Sequence, residues 1–119
     1  MYRTGEFAEM TDLSKETLRY YAEIKLLEPV YIDPSNGYKY YDNNSFLTAR
    51  LLFFLRKFGF SIQEMKHALQ ERSLDELEQI LVEKKNKLES EIQEINELIE
   101  RIEVFINDGN GVGKDDPVE

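Results

Sequence analysis

From Phe7 to Ile24 the apolar residues recur at helical spacing, interrupted once at the turn MTDLS, residues 10–14. Thr4 is placed to cap a short helix running through Phe7 and Met10. Ser14 opens a second helix, with Leu13 just before the cap and Leu18 four positions inside it, the spacing of a hydrophobic staple. Leu18, Tyr21 and Ile24 then follow three apart and give this helix its apolar side to about Lys25. The helical step of ~100° turns Lys15, Glu16, Arg19 and Tyr20 to the other side and leaves Thr17 near the border. Two short helices around such a turn predict a helix-turn-helix.

Pro29 blocks further helix. VYI (30–32) and YKY (38–40) are β-favouring runs on either side of DPSNG (33–37), which predicts a hairpin with an Asn-Gly turn. A hairpin placed directly after a helix-turn-helix is a wing. Along it Lys39 lies between Tyr38 and Tyr40, so its side chain takes the face opposite the two tyrosines. Asp42 or Asn43 can cap the next helix. The run FLTARLLFFLRKF (46–58) is apolar nearly all round, which predicts the buried centre of the domain. Gly59 ends it. Ser61 and Glu64 form a capping box, with Phe60 and Met65 at staple spacing, and open a short helix to about Glu71.

Ser73 and Glu76 repeat the box, and the period then changes. Leu74, Leu81, Leu88, Ile95 and Ile102 stand seven apart, and Ile92, Ile99 and Ile106 form a second series. Leu88, Ile92, Ile95, Ile99, Ile102 and Ile106 therefore alternate spacings of four and three, a coiled-coil seam. Before Leu88 the second series holds Glu78 and Lys85, so the seam is poor there, and Leu77 and Val82 are expected to pack on the globular domain. A helix over 74–106 would be roughly 50 Å long. Alone it cannot hide an Ile/Leu stripe, so a second chain is the expected cover. The Gly- and Asp-rich end NDGNGVGKDDPVE is expected to be a flexible tail or the start of a linker.

Charge sharpens this picture. The chain has 119 residues and a net charge of -9, but residues 1–58 balance to zero and the whole excess lies in residues 59–119. Charges beyond a Debye length of ~8–10 Å are largely screened. A local positive edge on the first half is thus compatible with the acidic total. Lys15, Arg19 and Tyr20 on the second helix and Lys39 on the wing describe a two-point grip on a duplex. The helix enters the major groove and the hairpin reaches backbone phosphates. Arg50, Arg56 and Lys57 are expected to extend that edge.

Other chemistries find little support. There is no Cys, which excludes disulfides and thiolate metal sites within these residues. His67 is the sole histidine, without a nucleophile or second ligand near it in sequence, and no calcium, phosphate-loop or zinc spacing occurs. The aromatic run LLFFLRKFGF is expected to be core, not a ligand pocket. Glu89, Glu91, Glu94, Glu97, Glu100 and Glu103 are expected to form a solvated face of the long helix. No cofactor and no enzymatic activity are expected. No apolar run approaches ~18 residues. A cytoplasmic protein without a membrane segment is the expectation.

TGEFAEMTDLSKETLRYYAEIKLLEP, then NGYKYYD and LRKFGFSIQEMK, resemble the DNA-binding domain of the MerR family of bacterial transcription regulators, over residues 2–72. The helix over 74–106 is similar to that family's dimerisation helix. The resemblance implies a mainly α fold: a winged helix-turn-helix over residues 1–72, a coiled-coil dimerisation helix over 73–107, and a tail or linker stub over 108–119. It implies a homodimer through an antiparallel coiled coil, bound to double-stranded promoter DNA. Such dimers bend and untwist an over-long spacer when an effector binds, so that RNA polymerase engages both promoter elements. Contacts repay a deformation cost on the order of several kcal/mol. By family position Lys15, Thr17, Arg19 and Tyr20 fall on the recognition helix, and Tyr38, Lys39 and Tyr40 on the wing. Lys39 stands where Arg is frequent. The absence of cysteines removes the family's metal and redox chemistry. Where other members carry a C-terminal drug-binding domain this chain stops, which fits either a fragment or a small regulator without a sensor. No effector is named by the sequence. The alternative is a coiled-coil interaction module whose helix-turn-helix binds protein.

Overall fold

The structure, a computed structural model, describes residues 1–70 and 73–108. Its elements in order are β1 (Tyr2–Arg3), α1 (Thr4–Thr11), α2 (Lys15–Glu23), β2 (Tyr31–Ile32), β3 (Lys39–Tyr41), α3 (Asn43–Lys57), α4 (Ile62–Gln70) and α5 (Leu74–Asn107). The expected end of α4 at Glu71 and the glycine-rich tail lie outside the described residues. Two compact units divide between residues 72 and 73.

The first unit is mainly helical, with a three-stranded antiparallel sheet in the order β1-β3-β2. The hairpin was expected; the third strand was not. Tyr2 pairs with Tyr41 and Arg3 with Tyr40. That pairing explains why α1 starts where it does. Arg3 is held extended by the sheet and becomes the N-cap, so the expected cap, Thr4, is the first helical residue. The carboxylate of Glu6 accepts the Arg3 backbone N–H at 3.0 Å.

Helix α2 begins as expected, with Ser14 Oγ accepting the Thr17 N–H at 3.0 Å and Leu13 and Leu18 both buried. It ends earlier than Lys25. Lys25 adopts φ 60°, its N–H reaches the Ala22 carbonyl, and the Leu26 N–H reaches the Tyr21 carbonyl. This is a left-handed helix stop that usually employs glycine. The same motif closes α3, where Gly59 at φ 86° donates to Arg56 and Phe60 to Leu55.

The wing departs from its expected turn. Asn36 does not take positive φ, and only Gly37 does, at 75°. Asp33 instead gathers the loop: its carboxylate accepts the Ser35 N–H at 2.9 Å and the Ser35 hydroxyl at 2.8 Å. The Asn36 side chain accepts the Tyr38 N–H at 2.9 Å. These local bonds replace a tight two-residue turn.

The core gathers Phe7, Leu13, Leu18, Tyr21, Leu26, Leu27, Tyr41, Leu52, Leu55, Phe60 and Met65. Each fully buried side chain of this size contributes roughly 1.5–3 kcal/mol. Phe7 of α1 stacks on Tyr41 of β3 with ring centroids 4.3 Å apart, which joins helix-turn-helix to sheet. Helix α3 is capped by Asp42 and touches both α1 and α4. It is not buried all round, as its composition predicted. Ala49, Leu52 and Leu55 are buried, whereas Leu47, Phe54 and Phe58 remain 67%, 43% and 49% exposed. One face suffices for the contacts with α1 and α4.

The second unit is α5, 34 residues and so about 50 Å long. The Ser73–Glu76 box is formed in both directions, at 3.2 and 3.1 Å. Leu88, Ile92, Ile95, Ile99, Ile102 and Ile106 lie along it, from 42% exposed at Leu88 to 64% at Ile106. Leu98 and Phe105, which border the stripe, are exposed too, so the distal stripe is wider than the heptad seam. Among the described residues no helix is long and apolar enough to cross a membrane.

Candidate nucleic-acid interface

Helix α2 sorts its residues as its sequence requires. Leu18 and Tyr21 are buried, and Lys15, Glu16, Arg19 and Tyr20 are exposed. Thr17 is half-buried and its Oγ1 accepts a hydrogen bond from the Ser14 hydroxyl at 2.9 Å. It faces a seam with α3: two adjoining grooves along this side of α2 both include Thr17 and Arg56. Tyr20 lies on the outer lip of one of them, and Lys57 lines the other.

On the wing, Tyr38 is exposed and Lys39 and Tyr40 are half-buried. Direct pairing puts Arg3 and Tyr40 on the same face of the sheet, and the Arg3 guanidinium lies 4.0 Å from the centre of the Tyr38 ring. Tyr31 packs against Tyr40 across the hairpin at 5.9 Å. The opposite face carries Tyr41 into the core, where burial raises its phenol above the ordinary tyrosine value. Tyr40 and Tyr41 therefore take opposite faces of the sheet.

The start of α1 bridges α2 and the wing. Arg3, Thr4, Gly5, Tyr38 and Lys39 line a cleft of about 130 Å³. A Cβ on Gly5 would stand 3.6 Å from Lys15 Cε and 3.8 Å from Lys15 Nζ, so Lys15 lies over the first turn of α1. Arg3 was not expected at this edge. A two-residue strand carries no period, and only its pairing with β3 brings the guanidinium to the wing.

Arg50 does not extend the positive edge as expected. Its Nη1 donates at 3.3 Å to the Thr11 carbonyl and stands 3.3 Å from the Asp12 carboxylate, while its guanidinium lies 5.0 Å from the Phe53 ring. It is committed to the turn between α1 and α2, where Asp12 takes φ 62°. Arg56 and Lys57 are exposed on the last turn of α3. Hydrogen bonds from the Ser35 amide and hydroxyl hold the Asp33 carboxyl below its usual value. The Ser45 amide and hydroxyl do the same for Asp42 at the cap of α3.

Known proteins share this arrangement. The sequence profile of the MerR HTH family regulatory proteins matches residues 2–72. The Multidrug-efflux transporter 2 regulator of Bacillus subtilis is 31% identical over 97 residues, 82% of this chain. The chain spans about a third of that relative's length, 35%. Among solved structures, MtaN, the N-terminus of the Bacillus subtilis multidrug transporter activator, superposes with a TM-score of 0.76 at 25% identity, covering 89% of this chain and 98% of that one. The EcmrR–DNA complex in EcmrR-RPo superposes with a TM-score of 0.68 at 27% identity, covering 93% and 40%. With more than half its length matched by the profile, the chain belongs to the MerR family of helix-turn-helix transcription regulators, a non-enzymatic family.

Proposed function

We propose that this protein is a dimeric, sequence-specific regulator that binds double-stranded promoter DNA in the cytoplasm. The observation that carries the proposal is the exposure of Lys15, Arg19 and Tyr20 on α2 and of Tyr38 on the wing, with Lys39 half-buried beside it. Helix α2 enters the major groove, where Arg19 offers a planar fork of donors to a base edge or phosphate. Thr17 and Tyr20 flank it. Tyr38, Lys39 and Tyr40 meet the sugar-phosphate backbone, with tyrosine rings packing on sugar and hydroxyls bonding phosphate oxygens. The likeness to EcmrR, solved as a DNA complex, supports this use of the edge.

Two copies join through Leu88, Ile92, Ile95, Ile99, Ile102 and Ile106 of α5, in the antiparallel sense that the family resemblance implies. The motivation is the exposed stripe on a helix of about 50 Å. The dimer then presents two edges to one duplex. Bending and untwisting the promoter lets RNA polymerase act on it, in response to an effector whose site lies elsewhere than in this edge.

The test uses an operator selected from a random duplex library, with affinity measured from 50 to 200 mM salt. Affinity should fall steeply with salt, since each phosphate contact adds about 0.9 to the slope of log affinity against log salt. Arg19→Ala and Lys39→Ala should each weaken binding. Equal affinity of both variants and the parent would remove the grip described here.

A further inference from the structure

The cleft between the start of α1 and the wing holds a cation, Arg3, that the helix-turn-helix pattern does not include. Arg3 stacks its guanidinium on the Tyr38 ring at 4.0 Å. Stacking uses the flat face of the guanidinium and leaves its five N–H donors at the edge. Among the described residues that guanidinium has no hydrogen-bond partner, and Arg3, Lys15 and Lys39 form no ion pair. Lys39 lines the cleft. Lys15 Nζ lies 3.8 Å from the point where a Gly5 Cβ would be, and Gly5 is part of the lining. Because Gly5 has no side chain, the cleft stays open between Arg3 and Lys15. Arg3 and Lys39 thus line one concave spot of about 130 Å³, Lys15 stands beside its Gly5 wall, and among the described residues no carboxylate pairs with any of the three.

We propose that this cleft is a phosphate clamp: it seats one backbone phosphodiester of the bound duplex between the Arg3 guanidinium and the Lys15 ammonium, with Lys39 at the side. In this role Tyr38 is a positioning residue whose ring, not its hydroxyl, holds Arg3 flat. A guanidinium suits the task because it forms two parallel N–H···O bonds to phosphate, which a lysine cannot. The clamp rests on the DNA-binding reading above. It adds to that reading the residue that ties wing and recognition helix to the same phosphate.

The experiment compares Arg3→Ala, Arg3→Lys, Tyr38→Phe and Tyr38→Leu on the selected operator, with thermal midpoints recorded to show that each variant folds. Arg3→Ala and Tyr38→Leu should each weaken binding by about tenfold and flatten the salt slope by about one. Arg3→Lys should recover the slope but only part of the affinity, and Tyr38→Phe, which keeps the ring and loses the hydroxyl, should lose less affinity than Tyr38→Leu and retain the parent's salt slope. Neutral methylphosphonates are then placed one at a time along the operator. One position per half-site should weaken the parent about tenfold and Arg3→Ala by distinctly less, because that variant has already lost one of the groups that hold the phosphate. An unchanged slope in Arg3→Ala, or no methylphosphonate position whose effect is smaller in that variant, overturns the clamp while leaving DNA binding intact. A parent that fails to bind any duplex overturns both.

Discussion

Lys25 and Gly59 perform the same backbone task with different side chains. Both end a helix in the left-handed region, at φ 60° and 86°. Glycine does so freely, whereas a side chain with a Cβ pays roughly 1–2 kcal/mol there. Lys25→Gly should therefore raise stability by about 1 kcal/mol, read as a higher urea midpoint at fixed protein concentration with an unchanged m-value. Gly59→Ala should lower it. No pattern in the sequence announced Lys25, because lysine is an ordinary helix residue. The stop is dictated instead by Leu26 and Leu27, which must turn inward to be buried. Serine caps were far easier to see. Ser14, Ser61 and Ser73 all act where their spacing placed them, since a cap and its partner lie within one turn and need no tertiary context.

At the scale of elements, the helices were legible and the sheet only in part. Helices carry a period; β1 has two residues and none, so it and Arg3 with it became visible only through pairing to β3. The buried share of α3 was overestimated for a related reason. Composition says which residues are apolar, and only the placement of α1 and α4 says which of them are covered. The cap of α3 also makes a prediction about acid. Asp42 has its carboxyl held below 3.8 by the Ser45 amide and hydroxyl. A carboxyl depressed in the fold contributes stability above its unfolded value, and that contribution is lost as pH falls through the folded value. Asp42→Asn keeps a capping oxygen without the titration. The parent should be the more stable at pH 6, and its advantage should vanish as pH drops below 3.8, followed by thermal midpoints across that range. An advantage that persists at the lowest pH would mean that the charge of Asp42 contributes nothing.

For the whole molecule, the decisive question is what covers α5. Ile99 sits within the proposed seam and is exposed in the single chain. Ile99→Glu should convert a sedimenting dimer to single subunits and weaken operator binding by at least tenfold, because each half-site then binds alone. If that variant sediments as the parent does, the seam lies elsewhere, and the exposed Leu98 and Phe105 are the first alternatives. The heptad pattern was legible in the sequence, but those two residues fall outside it. Their exposure emerged only with the helix built. The first unit has a dependence of its own. Arg50 reaches back to Thr11 and Asp12, and Tyr41 supports Phe7, so the bend between α1 and α2 is braced by residues that lie well downstream of both helices. The helix-turn-helix is accordingly not a transplantable cassette. Grafted onto another scaffold as residues 1–25, it would keep its residues and lose the angle between its two helices.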